Sequence, residues 1–261
     1  TVELNLIAQD STAYGRDRTD GSSLAVLLRA LAVRVPDARW LRLLYAYPAS
    51  VTDELLEVMA TESTVCPYLD MPLQHISDRM LRAMRRERSG DAIRRLVARI
   101  RAAVPGITLR SSFIVGFPGE TEDDVRILCD FLEEAQLDHV GVFRYSQEEN
   151  TAAATLPGQL PERTKRERWE RVMAVQARVA AERSRARIGS EVVVLVEGGE
   201  GPGRLIGRTP WQAPEIDGRV HLRADATPGD LVRARITGAD VYDLRATAVT
   251  QLPIDRAGVS P

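Results

Sequence analysis

The feature that most constrains the fold is an alternation of two hydrophobic periods along residues 1–146. Apolar runs with strand character occur at Val2–Ala8, Trp40–Tyr47, Tyr68–Leu73, Ile107–Val115 and His139–Tyr145. Between them, apolar residues recur every three or four positions, as on one face of a helix. Such alternation is typical of a parallel sheet with right-handed crossovers, covered on both faces. The sequence therefore predicts an α/β fold: a TIM-like barrel or part of one, or a doubly wound sheet.

The pattern changes twice after residue 160. Residues 161–188 contain no proline or glycine after Pro161 and predict one long connecting helix, rich in arginine. Residues 189–252 carry short β runs separated by Gly, Pro and Asp, which predict a small all-β barrel. We expect residues 253–261 to be a disordered tail. The predicted domains are thus 1–160, 161–188 and 189–252.

Composition narrows the class of protein. The net charge of −2 and the apolar content are typical of a soluble globular chain, and no apolar run reaches the ~18 residues that a membrane helix needs. The only cysteines, Cys66 and Cys129, form no CxxC pattern and are expected to be free thiols in a reducing cytoplasm. The chain begins directly in a strand-like run at Thr1. We therefore expect it to be a fragment of a longer protein.

Polar side chains follow all five predicted strands. In parallel α/β folds, ligands bind at the carboxyl ends of the strands. The polar and aromatic candidates there are Gln9, Asp10, Tyr45, Tyr47, Asp70, Gln74, His75, Arg110, Ser112, Arg144, Tyr145 and Glu148. Their recurrence predicts a polar ligand at one edge of the sheet. Asp10 and Asp70 are also a candidate pair of catalytic carboxylates.

The stretch "SSFIVGFPGETEDD", residues 111–124, is the densest local signal. Gly116 and Gly119 permit a close approach of the backbone, and Thr121 with Asp124 predicts a capping box at the next helix. Neither feature explains Glu120. His75 has no second His or Cys nearby, which favours a neutral, hydrogen-bonded residue over a metal ligand. No recognised nucleophile, general base or metal motif is present, so the catalytic residues stay unassigned.

Four stretches together resemble the radical SAM methylthiotransferases: "AQDSTAYGRD", "YLDMPLQHISDRMLRAMRR", "RSSFIVGFPGETEDD" and "GVFRYSQEENTAAATLPGQLPERTKRERW". The last 70 or so residues resemble a TRAM domain, most clearly in "GRTPWQAPEIDG". Within that family, Asp10, Asp70, His75 and residues 213–218 are similar to the RimO type, which acts on a ribosomal protein. The tRNA-modifying MiaB type usually has other residues at these positions.

The resemblance implies a partial radical SAM barrel, from its second strand onward, followed by an OB-like TRAM barrel. It also implies S-adenosylmethionine and two 4Fe-4S clusters as cofactors. The cluster motif CxxxCxxC is not in this sequence, and Cys66 and Cys129 match no cluster ligand. We therefore expect the cluster cysteines upstream, and this fragment to hold neither cluster and to be inactive alone.

The resemblance also implies roles for the strand-end residues. Gln9 and Asp10 lie where the methionyl amino group is usually recognised, and Gln74 and His75 lie near the ribose. Ser112, Ile114 and Gly116 resemble the motif GxIxGxxE, although Ser112 replaces its first glycine and Glu120 falls one residue late. Phe143 and Tyr145 are expected to flank the adenine.

The implied activity is addition of a methylthio group to the β-carbon of an aspartate in ribosomal protein S-twelve, in the cytoplasm, with ribosomal RNA as a further contact. Residues 189–261 carry 8 Arg against 10 Asp and Glu, which suits a basic protein better than tRNA. Two alternatives stay open. One is a MiaB-type enzyme that modifies tRNA, and the other is a non-catalytic module that binds protein or RNA.

Overall fold

The computed structural model describes residues 1–35, 39–86, 89–201 and 203–251. The chain divides into two units, Thr1–Val179 and Ala180–Pro261, and each is described by itself. The predicted tail, 253–261, lies outside the described residues. None of the helices in the described ranges combines the length and the apolar content that a membrane crossing requires.

The first unit is built on a parallel five-stranded sheet. Its strands are β1 (Glu3–Leu6), β2 (Trp40–Leu43), β3 (Val65–Asp70), β4 (Thr108–Val115) and β5 (His139–Arg144). Each strand lies beside its predecessor, in the order β1-β2-β3-β4-β5. A doubly wound sheet reverses its strand order at a switch point, whereas a barrel does not. The partial TIM-like barrel is therefore confirmed over the doubly wound alternative.

The predicted position of the third strand, Tyr68–Leu73, is wrong by three residues. The strand begins at Val65 and includes Pro67, which interrupts a run that otherwise reads as continuous. Proline has no N–H for a ladder hydrogen bond, so it is tolerated where pairing is irregular. The pairing of β2 with β3 shifts register between Leu41 and Leu43, and this shift accommodates Pro67.

Helices cover the sheet and supply most of its core. They are α1 (Leu24–Arg34), α2 (Asp53–Thr61), α3 (Asp78–Ala83), α4 (Gly90–Ala103), α5 (Glu122–Ala135) and α6 (Glu162–Ala186). Side-chain caps from Ser23, Thr52, Ser89 and Thr121 begin four of them, each accepting from a backbone N–H of the first turn. Leu28, Leu69 and Phe131 are among the fully buried side chains that join helices to strands. Helix α6 crosses the division between the two units.

Two ion pairs lie along the strands where an ordinary barrel interior would be apolar. Nε of Arg42 donates to Glu3 at 2.6 Å, and the Arg42 guanidinium lies 4.9 Å from the centre of the Tyr68 ring. Nη1 of Arg110 donates to Asp70 at 2.9 Å. Burying a charge is tolerated when a partner of opposite charge compensates it. These pairs link β1 to β2 and β3 to β4.

The second unit is a small closed barrel of five strands. They are β6 (Glu191–Gly201), β7 (Arg204–Arg208), β8 (Val220–Arg223), β9 (Leu231–Ala239) and β10 (Leu244–Gln251). The order is β10-β8-β7-β6-β9, and the pairing of β9 with β10 closes it. Val194, Val220 and Ile236 are fully buried in its core. The predicted all-β barrel is confirmed.

Asp124 completes the predicted capping box at the start of α5. Its Oδ2 accepts from the Thr121 N–H at 2.8 Å, and its Oδ1 accepts from the Ser77 hydroxyl at 2.5 Å. Arg79 donates to the same carboxylate. Burial raises the pKa of Asp124, but the hydrogen bonds from Ser77, Thr121 and Arg79 outweigh it and hold the pKa at about 2.

We predict that Asp124 makes the free energy of unfolding fall as the pH drops from about 4 to about 2. The folded-state pKa of about 2 lies below the ordinary 3.8, so the stabilisation is complete above the ordinary value and is lost as the pH falls through the folded one. The loss is about 2 kcal/mol, since one pKa unit corresponds to about 1.4 kcal/mol. Urea unfolding at several pH values should show a shallower pH dependence for Asp124→Asn. The exposed Asp130→Asn on the same helix is the control, and equal slopes for both variants would contradict the prediction.

Candidate functional site

The turn after β4 is closed by the side chain of Glu120. Gly116 and Gly119 both have φ of +77°, a backbone conformation that favours glycine. The Glu120 side chain is fully buried, and its Oε2 accepts from the Gly116 N–H at 2.8 Å. The Glu120 N–H in turn donates to the Phe117 carbonyl at 2.9 Å. The carboxylate therefore fixes the turn from within.

Glu120 also connects this turn to α6 and to the segment after β3. Nη1 of Arg168 donates to Oε2 of Glu120 at 2.8 Å and to its main-chain carbonyl at 2.9 Å. Nε2 of His75 lies 3.3 Å from Oε1 of Glu120. A carboxylate shared by a backbone amide, a guanidinium and an imidazole has most of its acceptor positions filled.

The hydrogen bonds of His75 assign its tautomer. Its Nδ1 accepts from the backbone N–H groups of Ile76 and Ser77 at 2.9 and 3.0 Å, so Nδ1 carries no proton. Nε2 then carries the ring proton and donates a hydrogen bond to Oε1 of Glu120. His75 is fully buried and neutral, as the sequence favours, and both ring nitrogens are engaged within the protein.

Arg168 joins this buried network to the surface. Its Nε and Nη2 donate to Oε1 of Glu122 at 3.0 and 2.9 Å, and Arg171 donates to the other oxygen at 2.7 Å. The hydrogen bond from Arg171, with further contributions from Arg168, lowers the pKa of Glu122. Two ion pairs of Arg168 thus hold α6 to the start of α5. The pair with Glu120 is buried, whereas in the pair with Glu122 the carboxylate is exposed.

A cavity of about 290 Å³ lies at the carboxyl ends of β3 and β4. Its walls include Gln74, Met84, Ile114, Phe117 and Leu156. Phe117 packs edge-on against Tyr145 at 5.2 Å between ring centres. The Tyr145 hydroxyl is buried and has no hydrogen-bond partner among the described residues. The cavity therefore combines apolar walls with the polar side chains of Gln74, Arg85 and Arg86, and the tyrosine packed against its wall carries an unsatisfied hydroxyl.

Main-chain pairing brings Gln74 beside β4. The Gln74 N–H donates to the Ser112 carbonyl at 2.9 Å, and the Ile114 N–H donates to the Gln74 carbonyl at 2.8 Å. Gln74 has φ of +69°, which is uncommon for a residue with a side chain and signals a locally constrained backbone. The predicted site residues Gln74, Ser112 and Ile114 are thus neighbours.

A second, more open cavity of about 740 Å³ lies along β5 and the start of α6. Phe143, which is 58% exposed, lines it together with Tyr145, Glu162 and Trp169. The Trp169 indole N–H donates to the Val142 carbonyl at 2.8 Å. Phe143 and Tyr145, both predicted to flank adenine, therefore share one cavity, and only the Tyr145 ring packs against the smaller one.

Gln9 and Asp10 lie at the carboxyl end of β1. Gln9 is exposed, and Asp10 accepts from the Thr12 N–H at 2.9 Å. The Thr12 hydroxyl accepts from the Tyr47 N–H at 3.2 Å, which ties this loop to the end of β2. Asp70, the other candidate carboxylate, is bonded to Arg110 instead. Each of the two aspartates has its own partners.

The residues present do not fit an iron–sulfur cluster. Thiolates hold such clusters, and this sequence has only two cysteines, Cys66 on β3 and Cys129 on α5, neither of them in a disulfide. Burial raises the pKa of Cys129, which disfavours the thiolate form. Within the described ranges, no three His, Cys, Asp or Glu side chains are grouped to hold a metal ion.

Comparison with known proteins gives the class first. Residues 9–132 match the family model of the Radical SAM superfamily, and residues 188–249 match that of the TRAM domain. The chain thus joins a radical SAM domain to a TRAM domain.

Curated relatives give the family. The chain is 52% identical to "Ribosomal protein uS12 methylthiotransferase RimO" of Desulforudis audaxviator. The alignment spans 253 residues and covers 96% of this chain and 56% of that protein. A relative of the same name from Trichlorobacter lovleyi is 51% identical over 95% of this chain and 56% of that protein. The chain is similar to these relatives over nearly its whole length, which confirms the resemblance that its sequence motifs predict. It spans about half the length of the curated relatives it matches.

We predict that Glu120→Gln lowers the free energy of unfolding by about 3 kcal/mol, because it removes the buried partner of the Arg168 charge and leaves only the exposed Glu122 to compensate it. Glu122→Gln removes an exposed partner of the same arginine and should cost less than about 1 kcal/mol. Urea unfolding of both variants measures the difference. Hydrogen exchange at the Gly116 amide should accelerate only in Glu120→Gln. Equal costs for the two variants would show that the buried pair does not hold the turn.

Proposed function

We propose that the protein containing this chain is a methylthiotransferase that adds a methylthio group to the β-carbon of an aspartate in ribosomal protein uS12, in the cytoplasm. The observation that carries the proposal is the similarity to relatives of that name, about half identical over more than nine tenths of this chain. The polar strand ends of a partial barrel support a ligand site, since such folds bind at that edge.

The smaller cavity is the proposed site for the adenosyl part of S-adenosylmethionine. Its apolar walls at Ile114 and Phe117 suit a purine ring, and Gln74 in the same lining offers a hydrogen-bonding side chain. S-adenosylmethionine, when bound, supplies the adenosyl and methyl groups of the family's chemistry. The residues of this chain would bind it, orient it and exclude water.

Different predicted residues take different parts in this proposal. Gln74 and Ile114 would form the wall that faces the ligand, with the Tyr145 ring packed against it, whereas His75 and Gly116 would hold the wall from behind through Glu120. Gln9 and Asp10, after β1, would contact the methionyl end of S-adenosylmethionine. Phe143 would line the entrance to the site along β5. The two cysteines of this chain do not fit an iron–sulfur cluster, so its residues have no assigned part in the radical chemistry.

The charge of residues 189–261 supports a protein substrate. Eight Arg stand against ten Asp and Glu in this segment, a balance that complements a basic ribosomal protein. An exposed arginine face on α6 would suit ribosomal RNA as a second contact. A tRNA substrate would instead call for a basic footprint on the TRAM barrel.

We predict that the full-length gene product, reconstituted with iron and sulfide and supplied with S-adenosylmethionine and a one-electron reductant such as dithionite, adds a methylthio mass to uS12. Peptide mass spectrometry should place the addition on an aspartate, and an uS12 variant with that aspartate changed to Asn is the control. Transfer to tRNA without transfer to uS12 would establish the alternative substrate. Binding of either without any transfer would favour the non-catalytic module.

A variant that fills the smaller cavity tests the site separately. Ala153→Trp places an indole among the lining residues, and we expect the KM for S-adenosylmethionine to rise by about tenfold or more, since the lost volume removes ligand contacts. Ala103→Trp, an exposed position at the end of α4, is the matched control. An unchanged KM in the Ala153 variant would place the adenosyl group elsewhere.

A further inference from the structure

Lys165 is the one lysine in a chain with 35 lysines and arginines. Every other cationic position is arginine, so the exception marks a place where the two side chains are not interchangeable. Lys165 lies in the first turn of α6 and is 5% exposed, whereas most cations of this helix reach solvent.

The Lys165 ammonium has three neighbours. Its Nζ donates to the Tyr145 main-chain carbonyl at 3.0 Å and to Oε1 of Glu162 at 2.7 Å. The same Nζ lies 5.3 Å from the centre of the Tyr145 ring, within range of a cation–π interaction. The end of β5 is therefore held at both its backbone and its side chain by one group.

The aliphatic part of Lys165 occupies the space beside Gly116. A Cβ built on Gly116 would lie 2.5 Å from Cγ of Lys165 and 3.0 Å from its Cβ, closer than real contacts allow. Gly116 thus needs to be glycine for two reasons, its φ of +77° and the passage of this side chain. Lys165 therefore touches the ends of both β4 and β5.

We propose that Lys165 is a positioning residue for the adenosyl pocket, a role that rests on the proposed function. It holds the Gly116 turn and Tyr145 together. Ile114 and Phe117, which line the cavity, lie on either side of Gly116, and the Tyr145 ring packs against them. A compact ammonium on an unbranched stem fits between a carbonyl, a carboxylate and a ring, above a glycine. A planar guanidinium is wider and would displace one of them.

Arg168 supports the same assignment from one turn further along α6. Residues three apart lie on one helix face, and Arg168 reaches the Gly116 turn through Glu120. Lys165 contacts the outer side of that turn directly. The two cations therefore fix the turn from two sides, and Lys165 alone adds the end of β5.

The first experiment compares three variants of the full-length, reconstituted protein in the cleavage of S-adenosylmethionine to 5′-deoxyadenosine. Lys165→Met keeps an unbranched side chain and removes the charge. We expect the KM for S-adenosylmethionine to rise about tenfold, because one charged hydrogen-bonding group is lost, and kcat to change by less than about twofold. Lys165→Arg should not rescue the KM. Arg178→Met, which loses a more exposed ion pair with Glu133 on the same helix, should leave both constants unchanged. Full rescue by Lys165→Arg, or an equal fall in kcat and rise in KM, would overturn the proposal.

The second experiment needs no variant, so misfolding cannot confuse it. Acylation of Lys165 by an amine-reactive ester is followed by peptide mass spectrometry, with the N-terminal amine as internal reference and S-adenosylhomocysteine as the probe. We expect the bound probe to slow Lys165 acylation severalfold relative to the reference. Equal rates at a saturating probe concentration, confirmed by calorimetry, would overturn the positioning role. Failure of the wild-type protein to bind the probe would instead refute the proposed site.

Discussion

The site depends on the hydrogen bonds and the ion pair made by the buried carboxylate of Glu120. It accepts from the Gly116 amide, from Arg168 and from His75, so one side chain fixes a turn, a helix and the segment after β3. Each contact alone is modest, yet removing the carboxylate would leave a buried guanidinium with only an exposed carboxylate, that of Glu122, as its charged partner. The arrangement is stable only when all partners are present, which makes the edge of the sheet a rigid frame and not a set of independent loops.

Much of the fold follows from the sequence because its signals are local. The alternation of strand and helix periods predicts the order of elements, and Thr121 with Asp124 predicts the start of α5. The predicted third strand begins three residues late, because Pro67 interrupts the apolar run in the sequence, whereas an irregular pairing admits it into the strand. The choice between a barrel and a doubly wound sheet needs the strand order, which no local pattern contains.

The candidate site was predicted less completely, and the reason is distance along the chain. Gln74 and Ile114 lie at predicted strand ends, and the structure makes them neighbours. The role of Glu120 depends on Arg168, which lies 48 residues away, and no spacing rule connects them. His75 has a neutral ring, as predicted, but its fully engaged nitrogens were not foreseeable. Lys165 is visible in the sequence as the one lysine among arginines. Its role is apparent only from the structure, where it contacts Gly116 and Tyr145.

The closure of the second unit has a consequence for how copies of this chain can associate. Each of its five strands has two partners, so within the described residues that barrel offers no template for a further strand.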